Sequence, residues 1–518
     1  MAGSPRTQSS PTSIAALIEQ RASQTPQALS ILAPGRAPLS YENLHSQIRR
    51  TVAALNGFGI GRSDRVALVL PNGPELAVAF LAVAAGATSA PLNPTYRAEE
   101  FDFYLSDLNA KALVVLASSA SPAVAVAEQK DIRILDLEPD FSAPAGVFGL
   151  RLRRPMAQQS PQTGMAESAD VGLVLHTSGT TSRPKIVPLT QANLCASARH
   201  IQAALALQAQ DRCLNVMPLF HIHGLIGAVL SSMAAGASVV TTPWFDAMKF
   251  FAWLDEFQPT WYTAVPTMHQ MILARAARNH EIVGRTHLRL IRSSSAALPP
   301  QVMAELERVF QAPVVESYGM TEASHQMASN PLPPRGRKPG SVGVAAGPAI
   351  AILDENTREL APGETGEIGI RGPNVTPGYE SNPEANKQAF TNGWFRTGDQ
   401  GYLDGEGYLF ITGRLKEIIN RGGEKISPRE VDEILLDHPS VQQVVTFALP
   451  HPRLGEEVAA AVVLREGQTA DEKQLREFAL QRLAGFKVPS KIVFLEEIPK
   501  GPTGKLQRIG LAEKLGLA

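Results

Sequence analysis

Cysteine and excess charge of either sign are both scarce in this chain. Only Cys195 and Cys213 occur among the 518 residues, which excludes a disulfide framework and a zinc site built on paired CxxC motifs. The 48 Lys and Arg residues nearly balance 49 Asp and Glu residues. This balance gives no support to a broad nucleic-acid surface or a polybasic membrane patch, so we expect no nucleic-acid partner.

Targeting and membrane signals are also missing. No run of eighteen apolar residues suggests a membrane span. Residues 1–12 are polar and lack the apolar core of a signal peptide, so we expect a flexible leader there. The final residues, EKLGLA, do not carry the Ser-Lys-Leu peroxisomal signal. These observations predict a cytoplasmic protein.

Strand-like apolar runs alternate with amphipathic segments over most of the chain, for example residues 65–70 before 75–85 and residues 288–292 before 301–310. A helix is also expected over 226–234 and a strand over 312–315. This alternation predicts an α/β fold with layered, mostly parallel sheets. After about residue 340, short alternating runs indicate antiparallel strands and a small β-barrel-like part. A compact α+β pattern follows from residue 418. We expect a large N-terminal domain, 13–414, and a small mobile C-terminal domain, 415–518.

The segment HTSGTTSRPKIVPLT, residues 176–190, follows an apolar run and concentrates hydroxyls, one glycine and two cations. Gly179 would let the backbone approach an anion, and hydroxyl and amide groups would donate to its oxygens. The segment therefore predicts a phosphate-binding loop, although a polar surface turn has a similar composition. It is not a Walker A loop, because the GxxxxGK[ST] order is absent.

Four later motifs each have two interpretations. The pair Thr321 and Glu322 after YGM could hold Mg²⁺ at a strand end or cap a helix. Asp399 could accept ribose hydroxyls or occupy a turn. The GRLKEIIN and RGGEK segments, residues 413–425, could serve a site or form a solvated strand end and a hairpin turn. Lys505, in PTGKLQR, could be simply exposed.

Taken together and in this order, the motifs resemble the adenylate-forming superfamily of acyl-CoA synthetases, luciferases and peptide-synthetase adenylation domains, over residues 14–515. The resemblance implies ATP, Mg²⁺ and coenzyme A as cofactors or co-substrates. It implies a carboxylate that attacks ATP to give acyl-AMP and pyrophosphate, and a thiol that then displaces AMP. The implied nucleotide-binding residues are Thr177, Ser178, Gly179, Thr180, Thr181, Ser182, Lys185, Ser295, Ala296, Ala297, Ser317, Tyr318, Gly319, Thr321, Asp399 and Arg414.

The resemblance also implies individual roles. The segments Ser294–Ala297 and Ser317–Gly319 would wall the adenine. Glu322 would bind Mg²⁺, and Lys505 would bridge the carboxylate and the α-phosphate, a task suited to an ammonium with several donors. Lys416 would be the hinge of the C-terminal domain. The implied catalytic residues are Lys505, Thr321, Glu322 and His221, and the strand brought in for thioester formation contains Gly422, Gly423 and Glu424.

The acid pocket is expected to be polar, formed by His221, His223, Arg292, Ser293, Ser295 and His325. Imidazole, guanidinium and hydroxyl groups suit a second carboxylate on a short acid, whereas a fatty-acid tunnel favours apolar side chains. His221 could instead be an aromatic gate, and Arg292 strand-end scaffolding.

Within the superfamily the motifs look closest to oxalyl-CoA synthetases of plants and fungi, which implies that His221, Ser293 and His325 surround a small dicarboxylate such as oxalate. Ile186 departs from that group, where glycine is usual. The alternatives are a medium- or long-chain fatty acyl-CoA synthetase and an enzyme that loads a carrier protein. We expect a small carboxylic acid as partner and a monomer or homodimer.

Overall fold

Four β-sheets with helices packed around them make up the described residues of this computed structural model, 11–154, 162–177, 184–499 and 508–518. In chain order the strands are β1 Leu29–Leu32, β2 Leu39–Ser40, β3 Arg65–Val69, β4 Thr88–Pro91, β5 Ala112–Leu116, β6 Arg133–Pro139, β7 Phe148–Leu152, β8 Val171–Thr177, β9 Lys185–Thr190, β10 Arg212–Asn215, β11 Ser238–Thr241, β12 Trp261–Ala264 and β13 Leu290–Ser294. They continue as β14 Val314–Met320, β15 His325–Ser329, β16 Val344–Ala345, β17 Ala349–Leu353, β18 Gly366–Arg371, β19 Phe390–Thr391, β20 Trp394–Leu403, β21 Leu409–Arg414, β22 Ile419–Arg421, β23 Glu424–Ile426, β24 Val441–His451, β25 Gly455–Leu464 and β26 Lys491–Phe494.

Helices connect most of these strands. The α-helices are α1 Ile14–Gln24, α2 Tyr41–Gly57, α3 Pro74–Ala84, α4 Ala98–Asp107, α5 Pro122–Gln129, α6 Gln191–Ala204, α7 Ser231–Ala235, α8 Phe250–Phe257, α9 Pro266–Ala276, α10 His280–Arg285, α11 Pro300–Phe310, α12 Pro383–Ala389, α13 Pro428–Leu436, α14 Glu472–Leu480 and α15 Leu511–Lys514. A π-helix spans His223–Leu230, and 3₁₀ turns span Ala277–Asn279, Thr321–Ala323 and Gly485–Lys487.

Two large sheets form the N-terminal part. One has the order β7-β6-β5-β3-β4-β8-β9, and the other has the order β16-β15-β14-β13-β12-β10-β11-β1-β2. Neighbouring strands are parallel from β6 to β8 in the first sheet and from β14 to β1 in the second, with antiparallel strands only at the edges. The expectation of layered, mostly parallel sheets is therefore confirmed.

Helix α3 is buried from Leu76 to Ala84 and belongs to the largest apolar core, which includes residues of both parallel sheets such as Val66 and Val239. A helix that is apolar on every side needs neighbours all round. The interior position of α3 thus follows from its sequence, PELAVAFLAVA.

The strands between residue 340 and the end of β21 pair antiparallel, as expected, whereas β26 of the C-terminal part pairs parallel to β25. Strands β17-β18-β20-β19 form one sheet, with β21 added beside β20. A separate C-terminal sheet has the order β23-β22-β25-β24, with β26 beside β25, and its core packs against α13 and α14. The mixed α/β architecture, with a large N-terminal and a smaller C-terminal part, matches the expectation. The boundary at 414/415 stays a prediction and coincides with the end of β21.

Two details differ from the expectations. The helix predicted over 226–234 is a π-helix in its first part, because that helix begins at His223 and ends at Leu230. The strand expected over 312–315 runs further, so Tyr318 and Gly319 lie inside β14 rather than after it. Within the described ranges, no helix is both long enough and apolar enough to cross a membrane. Of the expected leader, residues 1–10 lie outside the described part.

Candidate active site

The carboxyl ends of three parallel strands meet at one edge of the nine-stranded sheet. In register, Ser293 of β13 lies between Ala264 of β12 and Glu316 of β14, and Ser294 pairs with Ser317. Ligands in open parallel sheets bind at this edge, where the connecting segments begin. The segments that begin there contain Ser295 and Thr321, which the sequence assigns to the nucleotide.

Asp399 is the centre of a cluster contributed by three strands. Arg414 Nε lies 2.8 Å from Asp399 Oδ1, and the Tyr318 hydroxyl donates to Asp399 Oδ2. Asp399 is buried, and its negative charge raises the pKa of Arg414. Burial, followed by the same carboxylate, raises the pKa of Tyr318. The cluster therefore holds a carboxylate beside a fixed cation, an arrangement suited to polar ligand groups.

Glu322 lies in the 3₁₀ turn directly after β14, next to Thr321. Its side chain is buried, and Oε1 accepts a hydrogen bond of 2.9 Å from the Tyr379 hydroxyl. Burial raises the pKa of Glu322. The ammonium of Lys185 lies over the Tyr379 ring, 4.4 Å from its centroid. A buried carboxylate, a phenol and a lysine thus converge where the expected phosphate loop returns to the sheet.

The expected phosphate loop lies between β8 and β9 in the sequence, and these strands pair antiparallel with Thr177 opposite Lys185. Five of its predicted residues lie outside the described part of the chain: Ser178, Gly179, Thr180, Thr181 and Ser182. Burial lowers the pKa of Lys185, and so does the nearby charge of Lys416. The described end of the loop is therefore close to the segment expected to act as hinge.

The segment predicted to wall the adenine, Ser294 to Ala297, has a constrained backbone. Ser295 has a φ of 75°, a left-handed conformation that is unusual for a serine. The next residue, Leu298, donates its backbone N–H to Glu316 Oε1 at 2.9 Å.

On β14, a Cβ at Gly319 would lie 1.9 Å from the carbonyl oxygen of His325. Only glycine fits this close approach of two backbones.

His223, Arg292 and His325 form a buried polar cluster contributed by the π-helix, β13 and β15. The rings of His223 and His325 meet edge to face, with centroids 5.0 Å apart. Arg292 donates to Gln326 Oε1 at 3.0 Å and to the Gly227 carbonyl at 3.2 Å, and its Nη2 lies 3.5 Å from His325 Nδ1. Burial lowers the pKa of Arg292 to about 10.

Both nitrogens of the His223 ring have hydroxyl neighbours. Nδ1 lies 3.0 Å from Ser295 Oγ, and Nε2 lies 2.6 Å from Thr263 Oγ1. Because a hydroxyl can donate or accept, this environment accommodates more than one protonation state of the ring. His223 therefore links the polar cluster to the predicted adenine wall through Ser295.

The π-helix brings a glycine against this cluster. A Cβ at Gly227 would lie 2.9 Å from Arg292 Nη1, 3.0 Å from His325 Nε2 and 3.1 Å from His223 Cδ2. Real Cβ atoms do not normally approach other atoms so closely, so the three polar side chains fill the space next to the helix. Single π-helical turns occur frequently at functional sites.

The remaining acid-pocket residues are placed differently. Ser293 is fully buried, and its Oγ has no hydrogen-bond partner among the described residues. His221 is half-buried before the π-helix, where its Nδ1 accepts from the backbone N–H of His223 at 3.3 Å. The described contacts thus bring His223, Arg292 and His325 together, and they connect His221 to them through the backbone.

In the C-terminal part, Lys416 is exposed in a turn after Arg414. Gly422 and Gly423 connect β22 to β23 with φ values of 61° and 100°. Two consecutive positive φ values are typical of a tight hairpin turn, and Glu424 begins the second strand. Lys505 lies outside the described residues.

Four residues of the site carried no sequence motif: Thr263, Gly227, Gln326 and Tyr379. Gly227 and Gln326 lie close in sequence to the predicted pocket residues His223 and His325, so they could have been included in the prediction. Tyr379 comes from a loop 57 residues after Glu322 in the chain, and no local pattern connects the two.

Comparison with known proteins agrees with this geometry. The family model for AMP-binding enzymes matches residues 18–380, and the model for the AMP-binding enzyme C-terminal domain matches residues 430–505. The oxalate–CoA ligase of Arabidopsis thaliana is 46% identical over 502 residues, covering 96% of this chain and 97% of that protein. The oxalate–CoA ligase of Saccharomyces cerevisiae is 44% identical over 475 residues, 87% of each.

A solved structure extends the agreement to three dimensions. The crystal structure of ATP-bound MatB from Rhodopseudomonas palustris has a TM-score of 0.87 with this chain at 30% identity, and the match covers 97% of this chain and 98% of MatB. The resemblance seen in the motifs is thereby confirmed over nearly the full length. The chain belongs to the AMP-binding enzyme family and is an AMP-forming acid–CoA ligase that uses ATP and coenzyme A.

Proposed function

We propose that the acid is oxalate and that its second carboxylate binds Arg292. The observation that carries this proposal is that the buried Arg292 guanidinium contacts no carboxylate within the described part of the chain. Its guanidinium is fully buried, and among the described residues its partners are Gln326, the Gly227 carbonyl and His325. Its Nε has no partner there. The names of the two oxalate–CoA ligase relatives point to the same acid.

A buried cation without a counter-charge is costly, because the desolvation penalty in proteins amounts to several kcal/mol per ion. The lowered pKa of Arg292 reflects this cost. A carboxylate bound at the guanidinium would offset it through charge-assisted hydrogen bonds. Ser293 Oγ is also buried without a described partner, but Ser293 is the next residue of β13, so its side chain and that of Arg292 leave opposite faces of the sheet.

The same cluster favours a short acid over a long one. Arg292, His223 and His325 all lie within about 3 Å of where a Cβ at Gly227 would be. Polar side chains thus occupy the space beside the π-helix, where a long alkyl chain would need apolar walls. In oxalate the two carboxylates are directly bonded, so one can face the nucleotide while the other contacts this cluster.

The reaction has two steps. In the first, a carboxylate oxygen of the acid attacks the α-phosphorus of ATP, and the bond to the bridging oxygen of pyrophosphate breaks. In the second, the thiolate of coenzyme A attacks the acyl carbonyl of acyl-AMP, and AMP leaves. Residues positioned at the strand ends would contribute by holding the reacting groups and stabilising the developing charge.

For the nucleotide, we assign the ribose to Asp399 and Arg414, the α-phosphate to Thr321, and the β- and γ-phosphates to the loop from Thr177 to Lys185. Glu322 suits a Mg²⁺ ion, since oxygen ligands are those this cation prefers. When bound, Mg²⁺ would neutralise phosphate charge. The adenine would lie against Ser295–Ala297 and Ser317–Gly319, which lie at the adjacent ends of β13 and β14.

For the C-terminal part, we assign Lys505 to the adenylation step, where it would contact the carboxylate and the α-phosphate. Rotation about Lys416 would then withdraw Lys505 and bring in the Gly422–Gly423 turn with Glu424 for thioester formation. Lys505→Ala should abolish acyl-AMP formation and largely preserve transfer from supplied acyl-AMP to coenzyme A. Equal loss of both half-reactions would contradict this assignment.

The substrate proposal is tested by ATP-dependent pyrophosphate release with oxalate, malonate, succinate, octanoate and palmitate. Oxalate should give the highest kcat/KM, and a flat response to oxalate would overturn the proposal. Arg292→Lys retains charge but loses the planar fork, so kcat/KM for oxalate should fall about tenfold or more while KM for ATP stays unchanged.

Arg289→Lys is the matched control. Arg289 lies three residues earlier and is already paired with Asp211 at 2.9 Å, so it needs no ligand carboxylate. Its substitution should leave the acid profile unchanged.

The cytoplasmic location and the monomeric or homodimeric state stay predictions. Light scattering of the purified protein measures the oligomeric state.

A further inference from the structure

Among the described residues of the C-terminal part, Arg508 has the guanidinium with the most hydrogen-bonded nitrogens. Its Nε donates to Glu417 Oε2 at 3.1 Å, and its Nη2 donates to Asp432 Oδ2 at 2.8 Å. Its Nη1 donates to the carbonyl oxygen of Thr446. All three nitrogens are therefore engaged by acceptors from three different segments.

These acceptors lie on elements that are far apart in the sequence. Glu417 belongs to the turn after the expected hinge residue, Lys416, Asp432 lies on α13, and Thr446 lies on β24. Asp432 also accepts from the backbone N–H of Thr446 at 2.6 Å. The Arg508 guanidinium thus connects position 508 by hydrogen bonds to a turn, a helix and a strand.

The segment after Arg508 is anchored as well. Leu511 and Ala512 of α15 are buried in a core that also contains Ile498, which precedes residues 500–507. Position 508 is thus fixed both by its side chain and by the packing that follows. Lys505 is three residues earlier, and three residues span at most about 11 Å. The location of Arg508 therefore limits where the Lys505 side chain can reach.

We propose that Arg508 is a positioning residue for the adenylation half-reaction, because it fixes the chain that carries Lys505 to the turn beside the hinge. The inference rests on the proposed role of Lys505. All three partners of Arg508 follow Lys416 in sequence, so this arrangement can rotate as one unit about the hinge.

The choice of arginine has a physical reason. A guanidinium presents donors in a rigid planar fork and can bond two carboxylates and a carbonyl simultaneously, whereas an ammonium is a compact point charge on a flexible stem. In Arg508→Lys the charge would remain and Asp432 would keep a cationic neighbour. The simultaneous connection to Glu417 would be lost.

The test measures the two half-reactions separately, with the acid that gives the most pyrophosphate. Arg508→Lys should lower acid-dependent pyrophosphate release about 10- to 100-fold, the range that misplacement by about 1 Å produces. Consumption of supplied acyl-AMP by coenzyme A should stay within about twofold of wild type. Glu417→Gln should give the same split, and the double variant should lose little more, as expected for coupled residues.

Lys487→Ala serves as the matched control, since it breaks another ion pair of α13, with Glu430 at 2.7 Å, without touching Arg508. It should leave both half-reactions unchanged. Equal losses in both half-reactions of Arg508→Lys, or no loss in either, would overturn the inference. Lys505→Ala is measured in parallel: retained adenylation there would contradict the proposed function instead.

Discussion

Asp399 and Arg414 are joined twice, by the backbone and by their side chains. They are register partners in the antiparallel pair β20 and β21, and Arg414 Nε lies 2.8 Å from Asp399 Oδ1. Backbone pairing fixes the separation of the two Cα atoms, so only side-chain freedom is lost when the ion pair forms. In the proposed ribose site this pair would be a preorganised contact for hydroxyl groups, and Tyr318 donates to the second carboxylate oxygen.

Tyr318→Phe should weaken ATP binding through this cluster. The substitution retains the ring and removes one donor to Asp399, so KM for ATP should rise about 2- to 10-fold, in line with about 0.5–1.5 kcal/mol for a hydrogen bond. The value of kcat should change little. Tyr402→Phe is the control, because Tyr402 stacks on Phe410 in the same sheet and should leave KM unchanged. An unaltered KM in Tyr318→Phe would contradict the assignment.

The sequence predicted the parallel layers and the antiparallel strands because their signals are local. Alternation of apolar runs with amphipathic helices needs no long-range information. The π-helix His223–Leu230 could not be distinguished from an α-helix, since all eight of its residues are buried. Without a polar side, the sequence contains no period from which to measure the number of residues per turn.

Site residues that belong to a sequence motif could be predicted from the sequence. Residues that reach the site only because the fold brings them next to a motif residue could not. Asp399 and Arg414 each lie in a motif, and a hairpin brings them together. Tyr379 reaches Glu322 from a distant loop, and its contact depends on packing that no local pattern encodes. His221 and His223 are equally plausible pocket residues in the sequence, and only the fold shows that the His223 ring packs against the ring of His325.

Gly227→Ala should impair use of the acid selectively. The added methyl would meet Arg292, His325 and His223 at about 3 Å, and overpacking of this kind costs about 1–3 kcal/mol. We expect kcat/KM for oxalate to fall about 5- to 150-fold, with KM for ATP unchanged. Ala228→Gly alters the next residue of the π-helix, which packs in the apolar core, and should spare oxalate kinetics. Unchanged oxalate kinetics in Gly227→Ala would argue against this cluster as the acid site.

Tyr379→Phe should shift the pH dependence of Mg²⁺ activation. Burial raises the pKa of Glu322, and the Tyr379 hydrogen bond opposes this by stabilising the carboxylate. If Glu322 binds Mg²⁺ as proposed, its protonation would prevent this, so activity would be lost as pH falls through this pKa. Removing the hydroxyl raises the pKa further, and the acid limb of kcat/KM for Mg–ATP should move up by about 0.5–1 pH unit. An acid limb that does not move would exclude Glu322 as its origin.

Glu316→Gln should stabilise the protein at alkaline pH and leave it nearly unchanged at acid pH. Burial raises the pKa of Glu316 from 4.5 to about 7; the charge of Arg429 opposes the shift and that of Glu433 adds to it. Between these values the folded state binds the proton that the unfolded state has released, so wild-type stability falls as pH rises and becomes constant above about 7.

Glutamine keeps the acceptor for Leu298 N–H and cannot ionise, so the variant avoids this loss, which amounts to about 3 kcal/mol by pH 8. Thermal unfolding midpoints of both proteins should therefore separate as pH rises from 5 to 8. Glu305→Gln, at an exposed position of α11, should follow wild type throughout. A constant difference between Glu316→Gln and wild type at every pH would show that Glu316 does not titrate in this range.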